Sequence, residues 1–162
     1  MMPQLYVVDF KMDSPKKCTA KKLVSLGIAK NIPIYNKKIL NSAIVLWPFA
    51  KTTLSPDDAN RGETKGIVVI DTSWVFLESG YEKHYNFRYA RNLPTLIAAN
   101  SVSYGKVGRL SSAEAMAAAL YIIGSKNKAM EILNKFRWGE TFLSLNYEYL
   151  EQYSKKQNSN VT

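Results

Sequence analysis

Short apolar runs alternate with polar, lysine-rich segments along the chain, and this pattern predicts mixed α and β structure without internal repeats. Apolar runs of a few residues that are rich in β-branched side chains are typical of buried strands. Strands are accordingly predicted at residues 5–10, 32–35, 43–47, 66–71 and 93–100. Capping signals and helical spacing predict helices at residues 19–27, 55–61, 111–124, 125–136 and 140–155.

Several of these helices carry a local start or stop signal. Thr19 is the candidate N-cap of the first helix, which Gly27 ends. Ser55 is the candidate N-cap of the second. In the third, Ser111 and Glu114 stand at capping-box spacing ahead of an alanine-rich stretch. The alanine-rich stretch predicts close packing of this third helix against another element.

The predicted elements divide the chain into two parts. Most strands precede residue 70, which indicates an N-terminal mixed α/β domain over residues 1–70. The longer helices follow in a C-terminal domain over residues 71–162. The fold class is therefore α/β.

One predicted strand ends in a group of polar and aromatic residues. The stretch "VVIDTSWVFL" (68–77) runs from β-branched residues into Asp71, Thr72, Ser73 and Trp74. Ligands in α/β folds bind outside the carboxyl ends of the strands, so this group is a candidate binding site. The alternative is that Asp71 only caps the turn before a following helix.

The positive net charge of the chain implies an anionic partner. The sequence holds 22 Lys and Arg against 13 Asp and Glu, a net charge of +9. Residues 1–51 contain nine basic and two acidic residues, so +7 of the +9 lies in the first third. Such a surface suits a phosphate backbone, with RNA as the leading candidate, although lysines that merely maintain solubility explain the charge equally well.

Other features exclude several classes of protein. Cys18 and His84 are the only cysteine and the only histidine, so an internal disulfide and a multi-cysteine zinc site are excluded and no metal centre is expected. No stretch approaches the roughly 18 apolar residues that span a bilayer, and no cleavable signal precedes the first strand. The expectation is a cytoplasmic protein without a membrane partner.

Four separated motifs resemble, in order and spacing, the small-subunit ribosomal RNA aminocarboxypropyltransferase family in its short archaeal form. They are "DSPKKCTAKKL" (13–23), "DTSW" (71–74), the stretch 91–124 and "KFRWGETFLSLNYEYLEQY" (135–153). The resemblance implies that S-adenosyl-L-methionine is a substrate. Its 3-amino-3-carboxypropyl group, not its methyl group, goes to N3 of a uridine-derived base, often an N1-methylated pseudouridine, and 5'-methylthioadenosine remains.

The resemblance also implies a fold and a partner. Family members are similar to the knotted SPOUT class of RNA methyltransferases, so the C-terminal domain is expected to be SPOUT-like with a deep trefoil knot. The expected partner is small-subunit ribosomal RNA or a pre-ribosomal subunit. The oligomeric state stays open, with a monomer preferred because the sequence shows no obvious interface.

The same resemblance assigns residues to the site. Trp74 is expected to pack against the methyl group, the Ile70 backbone to bind the ribose, and Thr19 to hold the methionine carboxylate. An apolar wall around the adenine is expected from Leu46, Pro48, Leu93 and Leu110. Gly108 belongs to a loop that is expected to close over the adenosine, and Ser112 is expected to make a weaker contact through its hydroxyl. The hydroxyl residues also have a plain structural interpretation as helix caps.

Asp71 and Trp74 are the expected catalytic residues. Asp71 either attracts the amino group of the cofactor or accepts the N3 proton as a general base, and the positioning role is preferred. The loop after residue 99 departs from the family pattern because Ser101 follows Asn100 where a proline is common, which predicts a looser loop. Two alternatives stay open: a SPOUT-type methyltransferase of RNA and a non-catalytic ribosome-assembly factor.

Overall fold

The computed structural model describes residues 3–9, 19–71 and 85–156, with Asp9 described by its backbone alone. The strands are β1 (Leu5–Asp9), β2 (Lys30–Asn31), β3 (Ile44–Leu46), β4 (Ile67–Asp71) and β5 (Ala90–Arg91). The α-helices are α1 (Thr19–Ser25), α2 (Lys37–Leu40), α3 (Ala59–Lys65), α4 (Ser112–Ile122), α5 (Lys126–Leu133) and α6 (Gly139–Tyr153), with a 3₁₀ turn at Pro56–Asp58 before α3.

The described strands form one parallel sheet in the order β2-β1-β4-β3-β5. Strands β1 and β4 pair along their whole length, so Leu5 lies beside Ile67 and Asp9 beside Asp71. Strand β3 flanks β4 on the other side, with Leu46 opposite Val69. The sheet is apolar throughout its centre because a parallel sheet is covered on both faces.

Alternate residues of the central strands face two separate hydrophobic clusters. Val7 and Val69 belong to a cluster that includes the long helices, whereas Val8 and Val68 belong to a cluster on the opposite face. Trp47 anchors this second cluster, edge-on to Phe87 with ring centroids 5.3 Å apart.

Helix α4 is the centre of the first cluster. Its residues from Ser112 to Ile122 are all buried except Ala115, which is partly buried. Alanine side chains allow neighbouring elements to approach closely on every side, and α1, β4, α5 and α6 all pack against it. The prediction of close packing from the alanine-rich sequence is confirmed.

Several predicted elements are confirmed with shorter bounds. They are the strands at 5–10, 43–47 and 66–71 and the helices at 19–27, 111–124, 125–136 and 140–155. The predicted helix at 55–61 begins as the 3₁₀ turn and continues as α3, and Ser55 caps it through its side chain as expected.

Two predicted strands and one predicted cap are wrong. The edge strand lies at Lys30–Asn31 and not at 32–35, and residues 93–100 are irregular apart from one bridge at Ile97. Thr19 is the first helical residue of α1, and its hydroxyl accepts a hydrogen bond from the backbone of α4. The short helix α2 had no prediction.

The described sheet takes strands from both predicted domains, since β5 pairs with β3. The predicted division at residue 70 stays a prediction. In the part of the chain that the structure describes, no helix has both the length and the apolar character that a membrane span requires.

Candidate active site

Three strands end side by side at one edge of the sheet and define the candidate site. Strands β1, β4 and β3 run in parallel and end at Asp9, Asp71 and Leu46. The register places the backbones of the two acidic residues next to each other. Asp71 is buried, with 6% of its surface exposed.

The N-terminus of α4 meets the end of β4 at this edge. The Ser112 hydroxyl, in the first turn of α4, donates a hydrogen bond of 2.9 Å to Oδ1 of Asp71. Both groups are buried. A carboxylate at a helix N-terminus is stabilised by the helix dipole, so Asp71 is held in a fixed orientation by its surroundings.

Helix α1 is tied to the same helix terminus. Oγ1 of Thr19 accepts a 3.0 Å hydrogen bond from the backbone N–H of Ala113. A hydroxyl that accepts one hydrogen bond can still donate its own proton to a ligand oxygen. Thr19, Asp71 and Ser112, all predicted from sequence, are therefore brought together around the first turn of α4.

The predicted apolar wall is assembled in part. Leu46 is buried in the cluster around α4, and Leu93 and Leu110 are partly buried against the same cluster. Ile70 packs on the opposite face of the sheet, and the expected contact of its backbone with the ribose stays a prediction. Pro48 is exposed in the turn that follows β3, outside this cluster.

A tight loop over residues 96–108 leads into α4; we call it the 96–108 loop. Backbone N–H groups of Ala98 and Gly108 donate to the carbonyls of Lys106 and Leu96, each at 2.9 Å. Gly105 donates back to the Ala98 carbonyl at 2.7 Å. Gly108 is exposed and has a φ of +76°, a conformation that glycine adopts without strain.

Glu114 was predicted only as a capping-box residue, and its larger role in holding the 96–108 loop was missed. Its side chain is fully buried, and its carboxylate accepts four hydrogen bonds at 2.6 to 3.2 Å. The donors are the backbone N–H groups of Ala99, Asn100 and Ser111 and the side-chain amide of Asn100. The capping box accounts for only one of these bonds. The sequence signal for the others was that Glu114 is the only charged residue between 110 and 125.

Asn146 holds the other arm of the loop and was also missed. It is fully buried in α6. Its side chain accepts from the Ile97 N–H at 2.7 Å and donates to the Ile97 carbonyl at 2.8 Å. Together with Glu114 it fixes the 96–108 loop without a proline after Asn100, so the expected loosening at Ser101 is offset by hydrogen bonds.

Trp74 lies outside the described residues, as do Cys18 and His84. Its expected packing against the methyl group stays a prediction. Across residues 3–9, 19–71 and 85–156, no cluster of three or more His, Cys, Asp or Glu side chains forms a metal-binding group.

Comparison with known proteins identifies the class and then the family. The class is that of ribosome biogenesis proteins, because the family model described as "Ribosome biogenesis protein, C-terminal" matches residues 44–162, which include β3, β4 and α4 at the candidate site. The chain belongs to the 16S rRNA aminocarboxypropyltransferase family, as the following relatives show.

Close relatives cover nearly the whole chain. The 16S rRNA aminocarboxypropyltransferase of Thermoplasma volcanium is 44% identical over 99% of this chain and 94% of its own length. That of Methanocaldococcus jannaschii is 40% identical over 98% and 91%. The solved structure of the SAM-dependent rRNA:acp-transferase Tsr3 from Vulcanisaeta distributa matches with a TM-score of 0.87 and 41% identity, covering 95% of this chain and 84% of that chain. The family resemblance stated from sequence is confirmed.

A second family model, described as "Possible Fer4-like domain in RNase L inhibitor, RLI", matches residues 3–34. A [4Fe–4S] cluster is normally held by four cysteine thiolates. The whole chain has one cysteine, Cys18. The donor set of this chain therefore does not fit an iron–sulfur cluster.

Proposed function

We propose that this protein transfers the 3-amino-3-carboxypropyl group of S-adenosyl-L-methionine to N3 of a uridine-derived base in small-subunit ribosomal RNA. The observation that carries the proposal is the meeting of Thr19, Asp71 and Ser112 at the carboxyl edge of the sheet, in a chain that is 44% identical to a 16S rRNA aminocarboxypropyltransferase. The products are the modified base and 5'-methylthioadenosine.

The edge of the sheet suits the charged end of this substrate. The Thr19 hydroxyl, which accepts from Ala113, can donate its proton to the methionine carboxylate, and the dipole of α4 favours an anion at this end of the helix. The Asp71 carboxylate, which the Ser112 hydroxyl holds in place, suits the cationic amino group and sulfonium. The cluster that contains Leu46, Leu93 and Leu110 supplies an apolar wall for the adenine.

Which carbon reacts depends on orientation. The lone pair of N3 forms the new C–N bond, the electron pair of the C–S bond goes to sulfur, and the N3 proton is transferred to water. A nucleophile takes the carbon whose C–S bond lies in line with it at near-attack distance. We propose that Trp74 packs against the methyl group, where a cation–π contact with the sulfonium is worth about 0.5 to 2 kcal/mol, and that the carboxypropyl carbon faces the base.

Asp71 is proposed to position the substrate. Its carboxylate accepts a hydrogen bond from Ser112 and lies beside a helix N-terminus, and both contacts favour its charged form. A fixed negative charge attracts the amino group of the cofactor. The electrophilic sulfonium makes a strong base unnecessary for the weakly acidic imide.

Isotope labelling tests the transferred group. Purified protein is incubated with small-subunit rRNA lacking the modification and with S-adenosyl-L-methionine labelled either in the carboxyl carbon or in the methyl carbon. Carboxyl label in the RNA supports the proposal. Methyl label alone identifies a SPOUT-type methyltransferase and overturns it.

Calorimetry tests whether the protein uses the cofactor at all. Wild type is expected to bind S-adenosyl-L-methionine, and Trp74→Ala is expected to bind more weakly because it loses the packing and cation–π contact. No binding by wild type points to a non-catalytic assembly factor. Equal binding by both rejects the predicted role of Trp74.

We also propose the finer features that the resemblance implies. These are a SPOUT-like trefoil knot, an N-terminal RNA-facing domain over residues 1–70, a monomeric state and a cytoplasmic location. Support for the knot comes from the resemblance. An experimental structure with continuous backbone through residues 72–84 tests it.

A further inference from the structure

We propose that the outer face of the 96–108 loop is a docking surface for unpaired RNA beside the target base. The surface consists of Val102, Tyr104, Lys106 and Val107. The inference rests on the proposed function and deepens it by naming side chains that contact the RNA substrate.

The first observation is the concentration of exposed apolar side chains. Seven large hydrophobic residues are exposed in the described ranges, and three of them lie within six positions of this loop. Val102, Tyr104 and Val107 are each 63% exposed. Scattered exposed apolar residues need no explanation, but a concentration on one short loop points to a contact surface.

The second observation is that the loop is held in place. Backbone hydrogen bonds join its two arms, the Glu114 carboxylate accepts from Ala99 and Asn100, and Asn146 bonds both backbone groups of Ile97. Oδ1 of Asn100 further accepts from the backbone of Ser103 at 2.9 Å. A loop fixed in this way presents its outer side chains without a large ordering cost on binding.

The third observation is charge, which selects RNA as the occupant. The 96–108 loop contains one charged residue, the basic Lys106, and a second basic residue, Arg109, follows it directly. Lys106 is exposed between Tyr104 and Val107. Two copies of this surface repel each other, whereas a phosphate backbone is attracted to it.

The fourth observation is position. The loop continues through Leu110 directly into the first turn of α4, where Ser112 bonds Asp71. Nucleotides on the loop are therefore neighbours of a base presented to the candidate active site. Tyr104 supplies a ring for base stacking and Lys106 a charge for a phosphate, which is how unpaired RNA is usually bound.

The test compares Tyr104→Ala with Tyr104→Phe in the carboxyl-label transfer assay on a 16S rRNA fragment carrying the target uridine. Tyr104→Ala is expected to raise the KM for RNA about tenfold through loss of stacking. Tyr104→Phe keeps the ring and is expected to match wild type. The KM for S-adenosyl-L-methionine and kcat are expected to be unchanged in both. Tyr147→Ala, at a tyrosine that is 52% exposed on α6 and outside the proposed RNA-facing residues, is the matched control.

Three outcomes overturn the inference while the proposed function stands. An unchanged KM for RNA in an active Tyr104→Ala protein removes the contact. A raised KM for the cofactor alone shows that the residue serves the cofactor pocket. A wild-type dimer that Tyr104→Ala dissociates, measured by sedimentation, shows that the surface binds a second copy. Absence of carboxyl label with wild type overturns the proposed function itself, so the two failures are distinguishable.

Discussion

At the scale of single residues, the candidate site is built from side chains that hydrogen-bond to each other or to nearby backbone. Ser112 donates to Asp71, and Thr19 accepts from the backbone of Ala113. A serine at the start of a helix has an ordinary use as a cap, and here Ser111 serves that use while its neighbour bonds the carboxylate. The Ser111 hydroxyl therefore caps the helix, and the Ser112 hydroxyl hydrogen-bonds to Asp71.

Ser112→Ala tests the positioning of Asp71. The change removes the hydrogen bond that the Ser112 hydroxyl donates to the buried Asp71 carboxylate, and a hydrogen bond to a charged group contributes about 1.5 to 3 kcal/mol. If that bond orients Asp71 for the substrate, kcat/KM for transfer falls roughly tenfold or more. Ser112→Thr, which keeps the hydroxyl, is expected to retain most activity. Equal kinetics in Ser112→Ala and wild type contradict the role.

Asp71→Asn separates the two roles of the carboxylate through the pH profile of kcat/KM. A positioning charge predicts that the variant is slower than wild type by a similar factor at every pH above the acid range. A general base predicts that the rise of rate with pH in wild type disappears in the variant. We expect the first result, because the hydrogen bond from Ser112 and the helix terminus hold Asp71 as a fixed charge.

At the scale of elements, the 96–108 loop and α4 form one hydrogen-bonded unit centred on Glu114. Glu114→Gln replaces one acceptor oxygen by an amide that faces N–H donors of Ala99 and Asn100. We expect a loss of about 1 to 3 kcal/mol in the free energy of unfolding, measured with urea. Glu131→Gln, at a half-exposed surface pair, is the control and is expected to change it by about 0.5 kcal/mol or less.

The contact between α4 and α6 predicts a pH dependence of stability. The Tyr121 hydroxyl donates to Glu151, which also pairs with Lys126 at 3.0 Å. The hydrogen bond from Tyr121, then that from Lys126, lowers the pKa of Glu151 below its ordinary value of 4.5. Burial, followed by the bond to Glu151, raises the pKa of Tyr121.

A lowered carboxyl pKa stabilises the folded state above the unfolded value and loses this effect as pH falls through the folded value. Glu151→Gln is therefore expected to be less stable than wild type at neutral pH, with the difference shrinking as the pH drops below 4.5. Urea titrations across that range measure it. Glu148→Gln, at an exposed position on the same helix, is the control. A difference that is constant with pH contradicts the expectation.

Elements with local signals were predictable from sequence, and elements held by distant partners were not. Helix α4 has a capping box and an apolar run within residues 111–124, and β4 begins as a continuous β-branched run. Residues 93–100 are as apolar as a strand, but their backbone bonds to side chains 15 and 49 positions away, at Glu114 and Asn146. No local pattern reveals such partners.

The same distinction holds for the candidate site. The residues Thr19, Asp71 and Ser112 were identified by motif. The hydrogen bond between Thr19 and Ala113 spans 94 positions, and the one between Asp71 and Ser112 spans 41, so neither was predictable locally. Thr19 was predicted as the cap of its own helix, and its hydroxyl instead accepts from another helix. The role of Trp74 stays a prediction.

At the scale of the whole molecule, the positive net charge is concentrated in the first third of the chain. The candidate site, in contrast, combines residues from separate parts of the sequence. Residues 1–51 carry +7 of the net +9. In contrast, the carboxyl edge of the sheet brings together two acidic residues, Asp9 and Asp71. The proposed RNA contacts are basic residues of the first third, whereas the proposed contact with the cationic cofactor is the Asp71 carboxylate, so the two proposals rest on different residues.

This separation predicts that RNA affinity and cofactor affinity respond differently to salt. Lys37 and Lys38 are exposed on α2, and we expect each to contact one phosphate. The double change Lys37→Ala/Lys38→Ala is expected to reduce the slope of log affinity against log salt by about 1.4, since each contact with single-stranded RNA contributes about 0.7. Fluorescence anisotropy with a 16S rRNA fragment at several salt concentrations measures the slope, and calorimetry should show unchanged cofactor binding. The control Lys155→Ala/Lys156→Ala removes the same charge just after α6. If the control reduces the slope equally, RNA affinity depends only on net charge, and a specific RNA contact on α2 is contradicted.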